Sequence, residues 1–363
     1  MKILFLEPFF GGSHEEFATG FAAHSSHEVD LVTLPARFWK WRMRGAALYF
    51  ICKIKELSQY DLIFTTDMMD LTDFMALAGR NLPPVVMYFH ENQLSYPLGP
   101  DEKQDFHLGF TNIISAVAAD GLFFNSRFHL SVFLEAAKHL VKRMPDARPG
   151  WMLETLEKKA RVLYPGCRFG SQVLALGPPP MDRPLIIWNH RWEYDKNPDG
   201  FFALLASVKK KGIKFYLALL GEQYERVPDV FKTAKELFKE ELLVYGYLES
   251  REAYLSWLAR GSVVISTAFQ ENFGISVVEA VRHGCFPLLP DRLSYPELVP
   301  RKFHGEIIYK TTAELGEKLE SFLRDPDRFF PIRQSLSDHT RRFSWEILVK
   351  QYDKILEKFI KGT

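Results

Sequence analysis

Two glutamates, Glu271 and Glu279, stand eight residues apart around a turn suited to a ligand with both anionic and neutral polar parts. The stretch reads Phe269-Gln270-Glu271-Asn272-Phe273-Gly274-Ile275-Ser276-Val277-Val278-Glu279-Ala280. Val263-Val264-Ile265-Ser266 before it is β-branched and reads as a buried parallel strand. From Ser276 the pattern is helical through His283, and Gly284 ends it. Gly274, next to Phe273, has no Cβ, so a ligand can approach the backbone there. The amides of Gly274, Ile275 and Ser276 would project from a helix N-terminus and form an anion site. Glu271 sits in the loop, free to meet neutral polar groups of the same ligand. Glu279 could accept two hydroxyls of a ribose. Ser276-x-x-Glu279 is also the spacing of a capping box, in which the glutamate returns to the serine amide, and both readings of Glu279 stay open. Glu271 caps nothing. Phosphate, ribose and a second polyol are the parts of a nucleotide-sugar.

A second group precedes this one. Leu185-Ile-Ile-Trp-Asn189 reads as a strand, followed by His190-Arg191-Trp192-Glu193-Tyr194-Asp195-Lys196 and then Asn197-Pro198, a helix cap with proline at its first position. Arg191 and Lys196 thus share one loop above one strand. Together they could clamp a diphosphate and stabilise it as a leaving group, or be two surface cations. The strands Lys214–Leu220 and Leu242–Tyr245 end in Gly221-Glu222 and Gly246-Tyr247, which could admit a nucleobase. Asp325-Pro326-Asp327 spells a metal-binding D-x-D, but it falls in a turn between helices, and no other carboxylate or histidine cluster has ligand spacing. The expectation is no metal and no cofactor.

The first half carries its own candidates. Ile3–Leu6 reads as a strand, then Phe9-Phe10-Gly11-Gly12-Ser13-His14 and a helix over Glu15–Ala23. Gly12 and Ser13 would lie where a helix start meets a phosphate, or would only make a tight turn. Tyr88-Phe89-His90-Glu91-Asn92-Gln93-Leu94 closes a strand, and His90 would stand at its C-terminal end, where open α/β sheets place ligands. Ala36–Lys55 holds Arg37, Lys40, Arg42, Arg44, Lys53 and Lys55 without an acid, interleaved with Phe38, Trp39, Trp41, Tyr49 and Phe50. Cations with aromatic faces suit nucleic acid, an ordinary helix with a basic solvated face, or a membrane interface. Lys138–Lys159, with Pro145 and Pro149, is a second basic surface.

The elements that must position these groups alternate. Val29–Leu34, Leu62–Thr65, Val85–Phe89, Leu122–Phe124 and Arg161–Pro165 continue the first set of strands, and helical segments separate them. This is a doubly wound parallel sheet. Asp101–Phe106 reads as a charged mobile loop, Ser126 as a helix cap, and Phe343-Ser344-Trp345 as the opening of a long amphipathic helix to Ile360. The reading divides the chain into a Rossmann-like acceptor domain (1–170), a Gly/Pro-rich linker (171–184), a nucleotide-sugar domain (185–342) and a C-terminal helix (343–363). The 363 residues are 47% hydrophobic and 25% charged with a net charge near +1, which fits a soluble globular chain and argues against a wholesale nucleic-acid coat. Cys52, Cys167 and Cys285 are few and scattered, as in a reduced, cytoplasmic protein. No apolar run is long enough to span a membrane.

The Glu271/Glu279 stretch resembles the E-x7-E motif of retaining, family-4 glycosyltransferases of the GT-B fold, with Asn272 in place of the usual first glycine. Arg191 and Lys196 occur in the expected order, with His190 in place of the glycine of the usual Gly-Arg. The fold implied is α/β, two facing Rossmann-like doubly wound parallel sheets with a central cleft. In the first half, Phe-Gly-Gly-Ser-His at 10–14, Thr33-Leu34-Pro35-Ala36, Trp39-x-Trp41-Arg42, Ala47-Leu48-Tyr49-Phe50 and Tyr88–Leu94 resemble the tRNA-queuosine α-mannosyltransferase family. The resemblance implies transfer of mannose from GDP-mannose to the queuosine base at the wobble position of an aspartate tRNA. The alternative is a family-4 transferase acting on a lipid, glycan or small molecule. The implied catalytic residues are His90, Glu271, Arg191 and Lys196. Gly12, Ser13, Gly246, Tyr247, Phe273, Gly274, Ile275, Ser276 and Glu279 would complete the donor site, and Arg37, Lys40, Trp41, Arg42 and Arg44 would meet the tRNA. His90 would touch the transferred sugar. The leaving phosphate would accept the acceptor's proton, so that configuration is retained without a protein nucleophile. The partners implied are a queuosine-carrying tRNA and a nucleotide-sugar, with no membrane.

Overall fold

A computed structural model of the chain describes residues 1–96, 105–170, 181–222 and 227–361. The apolar runs become strands buried on both faces, as the near-continuous Ile3–Leu6 and Leu185–Trp188 require of parallel sheets covered by helices. The first sheet holds β1 (Lys2–Phe10), β2 (Glu28–Pro35), β3 (Leu62–Thr66), β4 (Val85–Phe89), β5 (Gly121–Phe124) and β6 (Ala160–Val162), in the order β2-β1-β3-β4-β5-β6. The second holds β7 (Leu185–Trp188), β8 (Tyr216–Leu219), β9 (Leu242–Tyr245), β10 (Val263–Ile265), β11 (Phe286–Pro290) and β12 (Ile308–Tyr309), in the order β12-β11-β10-β7-β8-β9. All pairings are parallel, with Leu4 opposite Ile63 in the first sheet and Val263 opposite Ile186 in the second. The strand order reverses between β1 and β3, and again between β7 and β10. Doubly wound sheets bind ligands beyond the strand ends at such points.

The chain divides into two compact units, residues 1–168 with 343–363, and residues 169–342. The C-terminal helix, which the sequence leaves as a separate element, runs Trp345–Lys361 and belongs to the first unit. Its anchor is Trp345, fully buried against Phe17 and Tyr352. Gly20 and Gly166 make room for that indole: a Cβ on either would come within about 2 Å of it. Most of the expected linker, residues 171–180, lies outside the described residues, as do residues 101–104 of the expected mobile loop. Asp105 and Phe106 instead open the helix Phe106–Ala118, where Asp105 accepts from the His107 amide at 2.9 Å. Likewise the first helix begins at Gly12 rather than Glu15, and the last strand of the first sheet stops at Val162.

Candidate functional site

In the second unit the groups at the ends of β7 and β10 interlock. Asn197, in left-handed backbone at φ 53°, caps the helix Pro198–Lys210 through the Gly200 amide at 3.1 Å. This fixes the short 3-10 turn Tyr194–Lys196 before it. Lys196 is buried there: its Nζ donates to the Gln270 carbonyl at 2.7 Å and lies 3.1 Å from Asp195 Oδ2 and 3.6 Å from Glu271 Oε2. The Phe269 amide donates to the Asp195 carbonyl at 2.7 Å, and Arg292 donates to the Ala268 and Thr267 carbonyls at 3.0 Å each. The glutamate loop is therefore tied to the cation loop. Arg191 differs from Lys196: its side chain is 42% exposed, with Glu193 Oε2 3.2 Å away. Of the two expected clamp cations, Arg191 is thus an exposed guanidinium and Lys196 a buried ammonium paired with two carboxylates.

Gly274 holds φ 99°, left-handed backbone that favours glycine, and opens the helix Ile275–Arg282. Asn272, in place of the family's first glycine, is not among the positive-φ residues. No side chain caps this helix. Ser276 is its second residue and not its cap, with Oγ 3.3 Å from His190 Nδ1. The capping-box reading is thus overturned. Glu279 is buried, accepts from Tyr254 Oη at 2.9 Å and pairs with Arg251. Burial, reinforced by Glu279, holds the Tyr254 phenol well above its ordinary pKa, so it remains a donor. Asn189 completes the network, donating to Tyr254 Oη at 2.9 Å and to the Ser276 carbonyl at 2.8 Å. His190, in the position of the family's glycine, is buried and lowered to about 4 by burial and the charge of Lys196, hence neutral.

Asp195, Arg251, Tyr254 and Asn189 were missed in the sequence. Arg251 and Tyr254 carry no signal there, because only the packing of helix Arg251–Arg260 brings them to Glu279. The Asp195-Lys196 dipeptide is readable, but not its burial. Of the two glycine-terminated strand ends, Gly221 packs closely: a Cβ there would fall 1.7 Å from the His190 carbonyl oxygen. Gly246, at φ 123°, donates to the Leu219 carbonyl at 2.9 Å and leaves Tyr247 exposed. Asp325 and Asp327 lie in the turn between helices Thr312–Arg324 and Phe330–Thr340, as read.

The first unit has a different cluster at its strand ends. Glu7 on β1 is fully buried; its Oε1 accepts from the Phe9 amide at 2.9 Å and Thr66 Oγ1 at 3.0 Å, and lies 3.2 Å from His14 Nδ1. The His14 ring sits 4.1 Å from that of His90, which follows β4. The His90 amide donates to Asp67 Oδ1 at 2.8 Å, and its carbonyl accepts from Asn125 at 2.8 Å. Glu7, His14 and His90 bring donor atoms within 4.8 Å of one another, a grouping absent from the sequence reading because it joins three separate segments. Gly12, at φ 53°, has open space around it, and Ser13 is exposed. Gly11 packs instead, since its Cβ would meet that of Ala36 at 2.6 Å.

The basic stretch forms the helix Trp39–Lys53, which buries Met43, Ala46, Ala47 and Phe50. Phe38 precedes it in left-handed backbone at φ 52°, rare for an aromatic residue. Phe38 and Trp41 are 75% and 76% exposed, beside exposed Arg37, Lys40 and Arg44. Arg44 also pairs with Asp70 at 3.5 Å. Arg42 is half-buried and donates to the Pro35 carbonyl at 3.2 Å, so it braces the helix start rather than facing solvent.

Two parallel sheets with a cation–glutamate cluster at the second switch point define a glycosyltransferase of the GT-B fold. The chain is similar over its whole length to sucrose-phosphate synthase from Thermosynechococcus elongatus, with TM-score 0.74, 13% identity and 100% of both chains covered, which shows the fold. Residues 177–343 match the family described as glycosyl transferases group 1, and residues 2–167 match the N-terminal family of tRNA-queuosine alpha-mannosyltransferase. The tRNA-queuosine alpha-mannosyltransferase of Drosophila melanogaster is 34% identical, covering 99% of this chain and 97% of its own. A GDP-mannose:cellobiosyl-diphosphopolyprenol alpha-mannosyltransferase of Xanthomonas oryzae pv. oryzae is 23% identical over 46% of this chain and 45% of its own. The chain belongs to the tRNA-queuosine alpha-mannosyltransferase family.

Proposed function

We propose that this enzyme transfers mannose from GDP-mannose, with retention, onto the queuosine base at the wobble position of an aspartate tRNA. The observation that carries the reading is the cluster at the β7/β10 switch point, where Lys196 binds Glu271 and Arg191 stands exposed above the same strand end. Arg191 and the amides of Gly274, Ile275 and Ser276 hold the diphosphate. The helix dipole favours the charge that grows as the bond to the sugar breaks. Lys196 fixes Glu271, so that it accepts from hydroxyls of the transferred sugar. Glu279, steadied by Tyr254 and Arg251, holds the ribose; Gly246 and Tyr247 border the base. His90 contacts the transferred sugar, and Gly12 and Ser13 complete the donor site. The leaving phosphate takes the acceptor's proton. Fixed cations supply the charge that a metal would supply in a D-x-D enzyme, so turnover needs no metal and survives excess chelator.

The tRNA meets Arg37, Phe38, Lys40, Trp41 and Arg44, whose cations suit phosphates and whose exposed rings suit unstacked loop bases. No helix among the described residues is long and apolar enough to cross a membrane. The three free cysteines and a tRNA substrate suit the cytoplasm. The experiment is a transfer assay with a panel of radiolabelled nucleotide-sugars and aspartate tRNA with or without queuosine. Label should appear only with GDP-mannose and queuosine-containing tRNA. Transfer from another donor, or to a lipid or glycan with tRNA inert, would overturn the proposal.

A further inference from the structure

Glu7 and His14 have no place in the donor or tRNA sites above, yet they form a buried acid–base pair directly behind His90. Three donors converge on Glu7 Oε1, while Oε2 is buried and accepts no hydrogen bond among the described residues. Such a carboxylate is costly to ionise unless a cation answers it. His14 is that cation. It is set in the first turn of helix Gly12–His24 and held between Glu7 and the edge of the Phe9 ring, 5.8 Å away. Its other face lies on His90, with ring centres 4.1 Å apart and planes inclined by 36°. Phe17 and Tyr88, each 4.8 Å from His90 by ring centre, also pack against it.

We propose that Glu7 and His14 are positioning residues for His90: a buried ion pair whose imidazole ring lies against the His90 ring, fixing its plane and the nitrogen it presents to the transferred sugar. The inference rests on the reading of His90 as a sugar contact. Its electrostatics agree with the geometry. Burial opposes a charge on His14, but Glu7, by charge and hydrogen bond, with Asp67 and Glu91 adding to it, raises that imidazole to about 9. Burial, then the charge of His14 and the nearby His129, holds His90 well below its ordinary value. His129, on helix Arg127–Arg143, is itself lowered to about 3 by burial and bonded to Asn125, so it adds no charge at neutral pH. Asp67, behind the His90 amide, is raised to about 8 by burial. At neutral pH His14 is an imidazolium set against Glu7, and His90 beside it is a neutral imidazole. A protonated His90 would only donate and would oppose the positive charge developing on the sugar.

The test uses Glu7→Gln in the full chain, which keeps the Oε1 acceptor and the shape but removes the charge that holds the proton on His14. In the wild type, kcat should stay level to mildly alkaline pH and fall as His14 loses its proton near 9. In Glu7→Gln that limb should move down by about 2 pH units or more, so that kcat at pH 8 falls about 10-fold while KM for GDP-mannose changes less than about twofold. 15N spectra of histidine-labelled protein should show His14 protonated on both nitrogens at neutral pH in the wild type and singly protonated in the variant. A wild-type kcat and limb in Glu7→Gln would overturn the proposal. So would a kcat loss that matches the unfolded fraction and leaves the limb in place, since that is a structural role. Stoichiometric metal in the purified enzyme, lost with activity on chelation, would also overturn it. His90→Gln separates the two readings: if it turns over normally, the sugar contact is wrong whatever the spectra show. If it is inactive while Glu7→Gln is unchanged, only the positioning pair is wrong.

Discussion

At the ends of β1, β3 and β4 the charges are sealed: Glu7 and Asp67 are essentially inaccessible, His14 nearly so, and aromatic rings line the rest. At the ends of β7 and β10 the same kind of crevice leaves its charges partly open, with Glu271 at 18% and Arg191 at 42% side-chain exposure. Both regions are switch points of parallel sheets, so strand geometry does not account for the difference. The segments following the strands do. After β4, His90 packs on His14 and bonds Asp67, whereas after β7 His190 is buried and Arg191 beside it is half in solvent. A sealed pair sets the proton state and orientation of one neighbour. An open cluster offers charge to a ligand.

The sharpest break of this contrast is Lys196→Met. It leaves Asp195 and Glu271 without their shared cation, and one uncompensated buried partner costs roughly 3–5 kcal/mol. The second unit should lose that much in denaturant unfolding, and turnover should vanish. Unchanged stability would mean that the ion pairs are weak. Arg191→Ala is the control on the open side. Turnover should fall about 30-fold or more through lost diphosphate contact, with the melting temperature unmoved because the side chain is half in solvent. A large loss of stability there would put Arg191 on the sealed side of the comparison.

The two glutamates divide within the open region. Glu279→Gln should weaken free GDP by about 10-fold, since a charged acceptor at the ribose is lost together with the Arg251 pair. Glu271→Gln should slow transfer while GDP affinity stays within about twofold, since its proposed contacts are to the sugar. Equal losses of GDP affinity in both would erase that division.

Stability against pH separates the units more gently. Asp67, near 3.8 when unfolded and about 8 when folded, keeps a proton that the unfolded chain has lost, so its contribution falls as pH rises to about 8. His14, near 6.5 unfolded and about 9 folded, stabilises fully below 6.5 and loses this as pH rises through 9. Both act in the first unit. His190 in the second, lowered to about 4, acts only in acid, where stability falls as pH drops from 6.5 toward 4. Raising pH from 7 to 9 should therefore lower the melting temperature of the first unit by on the order of 5 °C and spare the second. Calorimetry at both pH values checks this. The smallest effect is at the basic helix: replacing Arg37, Lys40 and Arg44 by alanine should reduce the slope of log tRNA affinity against log salt by about 0.7–0.9 per lost phosphate contact. Donor affinity should not change, and loss of anionic-liposome binding instead would make the helix a membrane contact.

The strands were legible in the sequence because each is a short apolar run closed by polar residues, and Val85–Phe89 and Leu242–Tyr245 fall where the pattern put them, whereas the strand order that makes the two switch points was not. The Asn197-Pro198 and Ser126 caps were legible for the same local reason: a cap needs only its own side chain and the amide two or three residues on. Ser276-x-x-Glu279 shows where that logic fails. The spacing was right for a cap, but Gly274 takes the end of the helix and Tyr254 with Arg251 draws Glu279 away.

The sequence by itself determined the two parallel α/β sheets, the order of cations and glutamates, and the family, because these reside in residue types and their spacing along the chain. Only the tertiary structure decided which charges are sealed and which are offered. Lys196 and Arg191 are five residues apart in one loop, yet one neutralises Asp195 and Glu271 from within while the other stands in solvent. Glu7, His14 and His90 come from three segments, and nothing in their spacing foretells that one ring will bond the carboxylate and meet the other ring. Burial and pairing set ionisation, and both depend on neighbours that only folding supplies.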